Sequence, residues 1–156
     1  VEEFTARFPY LVITRLLGLP RDREEEFHGW ATALLSFRDD PERAREASQA
    51  LSGFLAPVLA DRRRAPKNDV ISELAAAEID GRRLEDEEIV SHIRLLFPTG
   101  GETTFGSLGN LLYALFTQEE SWQRICREPE RIPAAVEEGL RWETPIAVRK
   151  AVAAAQ

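Results

Sequence analysis

The chain has 156 residues, 44% hydrophobic and 30% charged, with a formal net charge of −7. That is enough for one domain with its own core, and the acidic balance argues against a nucleic-acid partner. No apolar run reaches the roughly 18 residues of a membrane span, and the start, Val1-Glu2-Glu3-Phe4, lacks the pattern of a signal peptide, so a cytoplasmic address is expected.

Cys126 is the single cysteine, which excludes an internal disulfide. His28 and His92 belong to no metal-ligand spacing, so no metal site is expected from the chain's own side chains.

Helical periodicity begins at once. Phe8, Leu11, Val12 and Leu16, with Ile13 and Leu17, predict an apolar helix face, and Leu17-Gly18-Leu19-Pro20 predicts its end. A second helix is expected from about Asp22 to Phe37, with Phe27, Trp30, Ala31, Leu34 and Leu35 in register. Pro41 suits the first turn of a third helix, in which Ala47, Leu51, Phe54, Leu55, Val58 and Leu59 repeat at helical spacing. Pro57 lies inside that repeat and is expected to kink or split it. Arg62 to Asn68 reads as a solvated connector, with Asn68 or Asp69 capping a short helix after it. Ile79-Asp80-Gly81-Arg82 reads as a turn, and no strand is expected before Pro145.

The next segment is the most informative. Asp86, Glu87 and Glu88 suit a helix start, and two apolar stripes follow: Ile89, Ile93, Leu96, Phe97, then Leu108, Leu111, Leu112, Leu115, Phe116. If continuous to Phe116, the helix is about 46 Å long, at about 1.5 Å per residue. Its middle opposes helix formation: Pro98 lacks an N–H, Gly100 and Gly101 are poor helix formers, and polar Glu102, Thr103 and Thr104 follow. Such conflicts concentrate at functional sites. Missing side chains admit a flat ligand to the backbone, and an acid beside an alcohol can supply and relay a proton. The competing reading is an ordinary break between two helices, with Thr103 or Thr104 as the second cap.

Downstream, Arg131-Ile132-Pro133 opens a helix on which Glu138 and Arg141 are neighbours three residues apart. The pair is either a buried bidentate contact or an exposed one of little consequence.

Leu95-Leu96-Phe97-Pro98-Thr99-Gly100-Gly101-Glu102-Thr103-Thr104 resembles the long-helix motif of bacterial cytochrome P450 mono-oxygenases. Ala135-Val136-Glu137-Glu138-Gly139-Leu140-Arg141-Trp142-Glu143-Thr144-Pro145 is similar to the ExxR helix of that family and the start of the strand after it, in the same order and separation. Residues Phe8 to Pro20 are similar to a segment ending in "ELLGVP" in bacterial members. Thr99 stands where alanine or glycine is usual, and Gly101 is an extra glycine.

The resemblance implies one partial, all-α P450 domain over 1–156, with a long kinked central helix, seven to nine helices in all and a short strand after Pro145. By the same resemblance, Gly100, Gly101 and Thr104 would lie along heme, and Glu102 and Thr103 would be the catalytic acid–alcohol pair. Arg149, or alternatively Lys150, is a candidate heme-propionate partner. Glu138 and Arg141 would form a structural ion pair, and Leu96 and Phe97 would wall the substrate pocket, ordinary core packing being the alternative for both. The cysteine that ligates heme is expected outside this chain, since the sequence around Cys126 lacks the family's glycines, so the isolated chain is expected to be inactive and to expose apolar surface. Partners implied are a small organic substrate, dioxygen, and a ferredoxin or flavin reductase as electron donor. The reading from a different class is a non-catalytic helical module that binds a partner or a small hydrophobe.

Overall fold

The computed structural model describes residues 2–146. Seven α-helices are present among the described residues: α1 (Glu2–Leu16), α2 (Glu24–Leu35), α3 (Pro41–Arg64), α4 (Val70–Ala76), α5 (Asp86–Thr117), α6 (Glu119–Arg127) and α7 (Ile132–Trp142). The fold is all-α, as the periodicity predicts. The expected C-terminal strand falls outside the described residues.

Local chemistry accounts for the helix ends. Gly18 takes a φ of +64°, and the bonds Leu19 N–H to Thr14 C=O and Gly18 N–H to Arg15 C=O close α1. Asp40 caps α3 by accepting the Arg43 amide at 3.1 Å, with Pro41 in the first turn. Asp69, not Asn68, caps α4 through the Ser72 amide at 2.8 Å.

Contacts divide the described residues into two compact units, Arg7–Gly101 and residues 2–6 with 102–146. In Arg7–Gly101 the core is dense. Leu17, Phe27, Leu51, Leu55, Leu59, Ile71, Ile89, Ile93 and Phe97 are each no more than 1% exposed. The apolar residues that α1 buries are Pro9, Tyr10 and Ile13, with Leu17 just after its end, whereas Phe8, Leu11, Val12 and Leu16 are 41–53% exposed. This corrects the expected face: α1 carries apolar residues on more than one side, so periodicity alone does not select the side that packs.

Three further expectations change. Pro57 does not split α3, which runs unbroken for 24 residues. Arg62 is no part of a solvated connector: it lies on α3, is 6% exposed, and donates to Asp69 at 2.6 Å and to the Gly18 carbonyl at 2.9 Å. A small antiparallel ladder, β1 (Glu78–Ile79) with β2 (Arg82–Arg83), flanks the predicted turn. Asp80 and Gly81 both have positive φ (53° and 74°), the geometry of a tight hairpin turn. Strands of two residues offer no alternation to read. Arg63 joins the end of α3 to this region, donating to the Leu84 carbonyl at 2.8 Å and to Asp86 at 2.7 Å.

The other unit packs the second half of α5 with α6 and α7. Leu111 approaches Gly139 so closely that an added Cβ there would lie 3.0 Å from Leu111 Cδ1, so the glycine in the ExxR helix permits a helix contact. Large apolar side chains in this unit are open: Tyr113 (65% exposed), Trp142 (52%) and Phe116 (47%). No helix among the described residues is long and apolar enough to cross a membrane.

Candidate functional site

α5 passes through Pro98, Gly100 and Gly101 without interruption, over 32 residues and about 48 Å at about 1.5 Å per residue. The reading of this segment as a break between two helices is therefore overturned. The first stripe, with Ile89, Ile93 and Phe97 buried, anchors the helix up to residues that would not form one unaided. Pro98 is buried, and the Thr99 hydroxyl donates to the Leu95 carbonyl at 2.6 Å, one residue along from the carbonyl that Pro98 leaves without its usual donor.

The two glycines face different surroundings. A Cβ on Gly100 would meet Ile13 Cδ1 at 3.6 Å, an ordinary contact, so protein packing does not require glycine there. A Cβ on Gly101 would lie 2.2 Å from Tyr10 Cε1 and 2.3 Å from Cζ. That side of Gly101 is filled by protein and is closed to a ligand. Gly100 is half-buried, Gly101 buried.

After the glycines, Glu102 and Thr104 are exposed and Thr103 is half-buried. Ser107 donates to the Thr103 carbonyl at 2.8 Å, giving that turn a second hydrogen bond. Of the two nominated pocket residues, Leu96 is 40% exposed. Phe97 is fully buried, with its ring 5.9 Å from Tyr10 and 6.0 Å from Phe27, and belongs to the core. Arg149 lies outside the described residues.

Glu138 and Arg141 form the bidentate pair that their spacing suggests, with Nε to Oε2 at 2.7 Å and Nη2 to Oε1 at 2.6 Å. Both side chains are well exposed (61% and 70%). The Arg141 hydrogen bonds hold the Glu138 carboxyl below the usual carboxylate range. Glu138 also lines a cleft of about 410 Å³ floored by Leu111, Leu115, Ile125, Gly139 and Trp142. Sequence reading missed this cleft, because it is assembled from three helices that no single periodicity connects. Tyr10 was missed as well, though its spacing with Ile13 and Leu17 marks it as one stripe of α1.

At Gly100 packing does not require the absence of a side chain, since a Cβ would make only an ordinary contact with Ile13, whereas at Gly101 the Tyr10 ring requires it. Glu102 and Thr103 follow directly in sequence as an acid and an alcohol. Cys126 is exposed on α6. No group of three or more His, Cys, Asp or Glu able to hold a metal ion occurs among the described residues.

Comparison with known proteins agrees with this architecture. No protein-family model matches the chain. A cytochrome P450 of Bacillus subtilis is 34% identical over 149 residues, covering 94% of this chain and 36% of the relative. A steroid C26-monooxygenase of Mycobacterium tuberculosis is 32% identical over 152 residues, covering 94% of this chain and 41% of the relative. Among solved structures, the Bacillus subtilis polyketide-synthase P450 PksS superposes with a TM-score of 0.80 at 34% identity, over 89% of this chain and 36% of that one. The Bacillus megaterium P450 CYP109E1, solved with testosterone, gives 0.81 at 32% identity, over 91% and 39%. The chain thus spans little more than a third of the length of the relatives it matches. With sequence and fold in agreement over nearly all of its residues, this chain belongs to the bacterial cytochrome P450 family, as a part of the family's domain.

Proposed function

We propose that the chain is part of a heme-thiolate mono-oxygenase that inserts one oxygen atom of dioxygen into a small organic substrate. The observation that carries the reading is the unbroken α5 with Gly100, Glu102 and Thr103 at its centre, within a chain similar to bacterial P450s over 94% of its residues. Heme, when bound through a cysteine thiolate, supplies the activation of dioxygen.

This chain's own residues do the rest. Gly100 offers its backbone to the flat face of the ligand. Glu102 supplies an acid group and Thr103 a hydroxyl, the pair through which a proton is passed toward the ligand's edge. Thr104 packs beside heme, Leu96 lines the substrate space, and the Glu138–Arg141 pair braces the cofactor's surroundings. Arg149 is the proposed propionate partner. Electrons come from NAD(P)H through a ferredoxin or a flavin reductase, and the proposed compartment is the cytoplasm.

The ferrous carbon-monoxide difference spectrum of the heme-loaded enzyme tests the family chemistry, with Thr103→Ala alongside. A Soret band at the thiolate position, and more hydrogen peroxide released per nicotinamide oxidised in the variant, is the expected result. An intact, folded protein with no heme spectrum would sink the reading and favour a non-catalytic helical binding module.

A further inference from the structure

Adjacent glycines on one helix have opposite relations to the protein around them. At Gly100 an alanine would fit, whereas at Gly101 the position of a Cβ is already occupied, with Tyr10 Cε1, Cζ and the phenol oxygen 2.2, 2.3 and 2.8 Å away. Tyr10 is itself 8% exposed, and its ring is wedged between His28, edge-on at 4.7 Å, and Phe97 at 5.9 Å. The turn it meets is weak in its own backbone: Pro98 withholds an N–H, Thr99 diverts its hydroxyl to Leu95, and glycine is a poor helix former.

We propose that Tyr10 is a positioning residue for the centre of α5: its phenol ring takes the place of the side chain that Gly101 lacks and braces the turn from Pro98 to Gly101, fixing the backbone that leads into Glu102 and Thr103. Gly101 is then glycine because of Tyr10, a reason that does not extend to Gly100. Residue 101 and residue 10 form one size-matched pair, in which bulk on one side excludes bulk on the other. The bracing is argued from the packing of the Tyr10 ring and does not depend on the mono-oxygenase reading. Its consequence for Thr103 rests on the mono-oxygenase reading.

The test uses the heme-loaded enzyme with Tyr10→Ala, Gly101→Leu, the swap Tyr10→Ala with Gly101→Leu, and Tyr10→Phe. Gly53→Ala, on a helix position with open space around it, serves as a control. Tyr10→Leu is read in parallel in case the alanine variant does not fold. Three quantities are measured: amide hydrogen exchange over residues 99–104, the melting midpoint, and peroxide released per nicotinamide oxidised.

Loss of the ring is expected to speed exchange in that segment by about tenfold or more, as local opening becomes easier. It is also expected to raise the peroxide share, while Tyr10→Phe changes neither and the swap recovers both to within about threefold of the parent, because complementary volume is restored. Unchanged exchange in Tyr10→Ala and Tyr10→Leu, or a Gly101→Leu protein as stable as Gly53→Ala, overturns the bracing. Faster exchange with an unmoved peroxide share, in an enzyme where Thr103→Ala does raise it, overturns the positioning role. If no heme spectrum forms at all, it is the mono-oxygenase reading that fails, and the exchange arms still decide whether Tyr10 braces α5.

Discussion

Asp69 holds Arg62 with one oxygen, Oδ2 to Nε at 2.6 Å, while its other oxygen accepts the Ser72 amide that begins α4. The two side chains are 7% and 2% exposed, and Arg62 also reaches the Gly18 carbonyl at the end of α1. One buried ion pair thereby ties three helices together. Removing one partner leaves a charge buried and unmatched, at a cost of about 3–5 kcal/mol. Arg62→Ala and Asp69→Ala are each expected to lower the unfolding free energy in urea by that amount, and the double variant by clearly less than their sum. Strict additivity would mean that the two residues act independently.

The same pair gives a pH dependence of known sign. Burial pushes the Asp69 carboxyl up, but the Ser72 hydrogen bonds and the Arg62 guanidinium outweigh it and leave it below the usual carboxylate range. The folded value is thus the lower one, so the stabilisation is complete above the unfolded value of about 3.9 and fades as pH falls through the folded value. The stability gap between the parent and Asp69→Asn should be widest above about pH 5 and close on acidification. A gap that widens in acid would contradict the assignment.

Gly18 cannot carry a side chain. Its φ is +64°, and a Cβ would lie 2.3 Å from Asp69 Oδ2. Gly18→Ala is expected to cost about 2 kcal/mol or more, from left-handed strain plus disturbance of the ion pair. Gly53→Ala, inside α3 with nothing within 4 Å, should instead stabilise by about 0.5–1 kcal/mol. Melting curves of the two variants should therefore shift in opposite directions.

Neighbouring residues on α5 should also separate. Phe97 is fully buried among aromatic rings, and Phe97→Ala is expected to cost about 3–5 kcal/mol. Leu96 is 40% exposed, and Leu96→Ala should change stability by less than about 1 kcal/mol. In the holoenzyme, Leu96→Ala is expected to act mainly on substrate affinity, read as a shift in the substrate-induced spectrum with the melting midpoint little changed.

Periodicity, caps and turn chemistry are local properties, and the sequence states them openly. The all-α class, the stop at Gly18, Pro41 in the first turn of α3, the turn at Asp80-Gly81 and the pairing of Glu138 with Arg141 follow from residues within a few positions of one another. The motif from Gly100 to Thr104 was legible for the same reason, and the family followed from its distance to Glu138 and Arg141.

What only the tertiary structure decided is which of several permitted contacts forms. α1 is apolar on more than one side, and packing chose Tyr10 and Ile13 over Phe8 and Leu11. Arg62 sits in a run of three arginines that looks solvated until Asp69, seven residues on, folds back against it. Gly100 and Gly101 are indistinguishable as letters, yet Tyr10, some ninety positions earlier, excludes a side chain from one, while the other would tolerate a Cβ beside Ile13. Volume exclusion and charge burial depend on where distant segments meet, and no local pattern encodes that meeting.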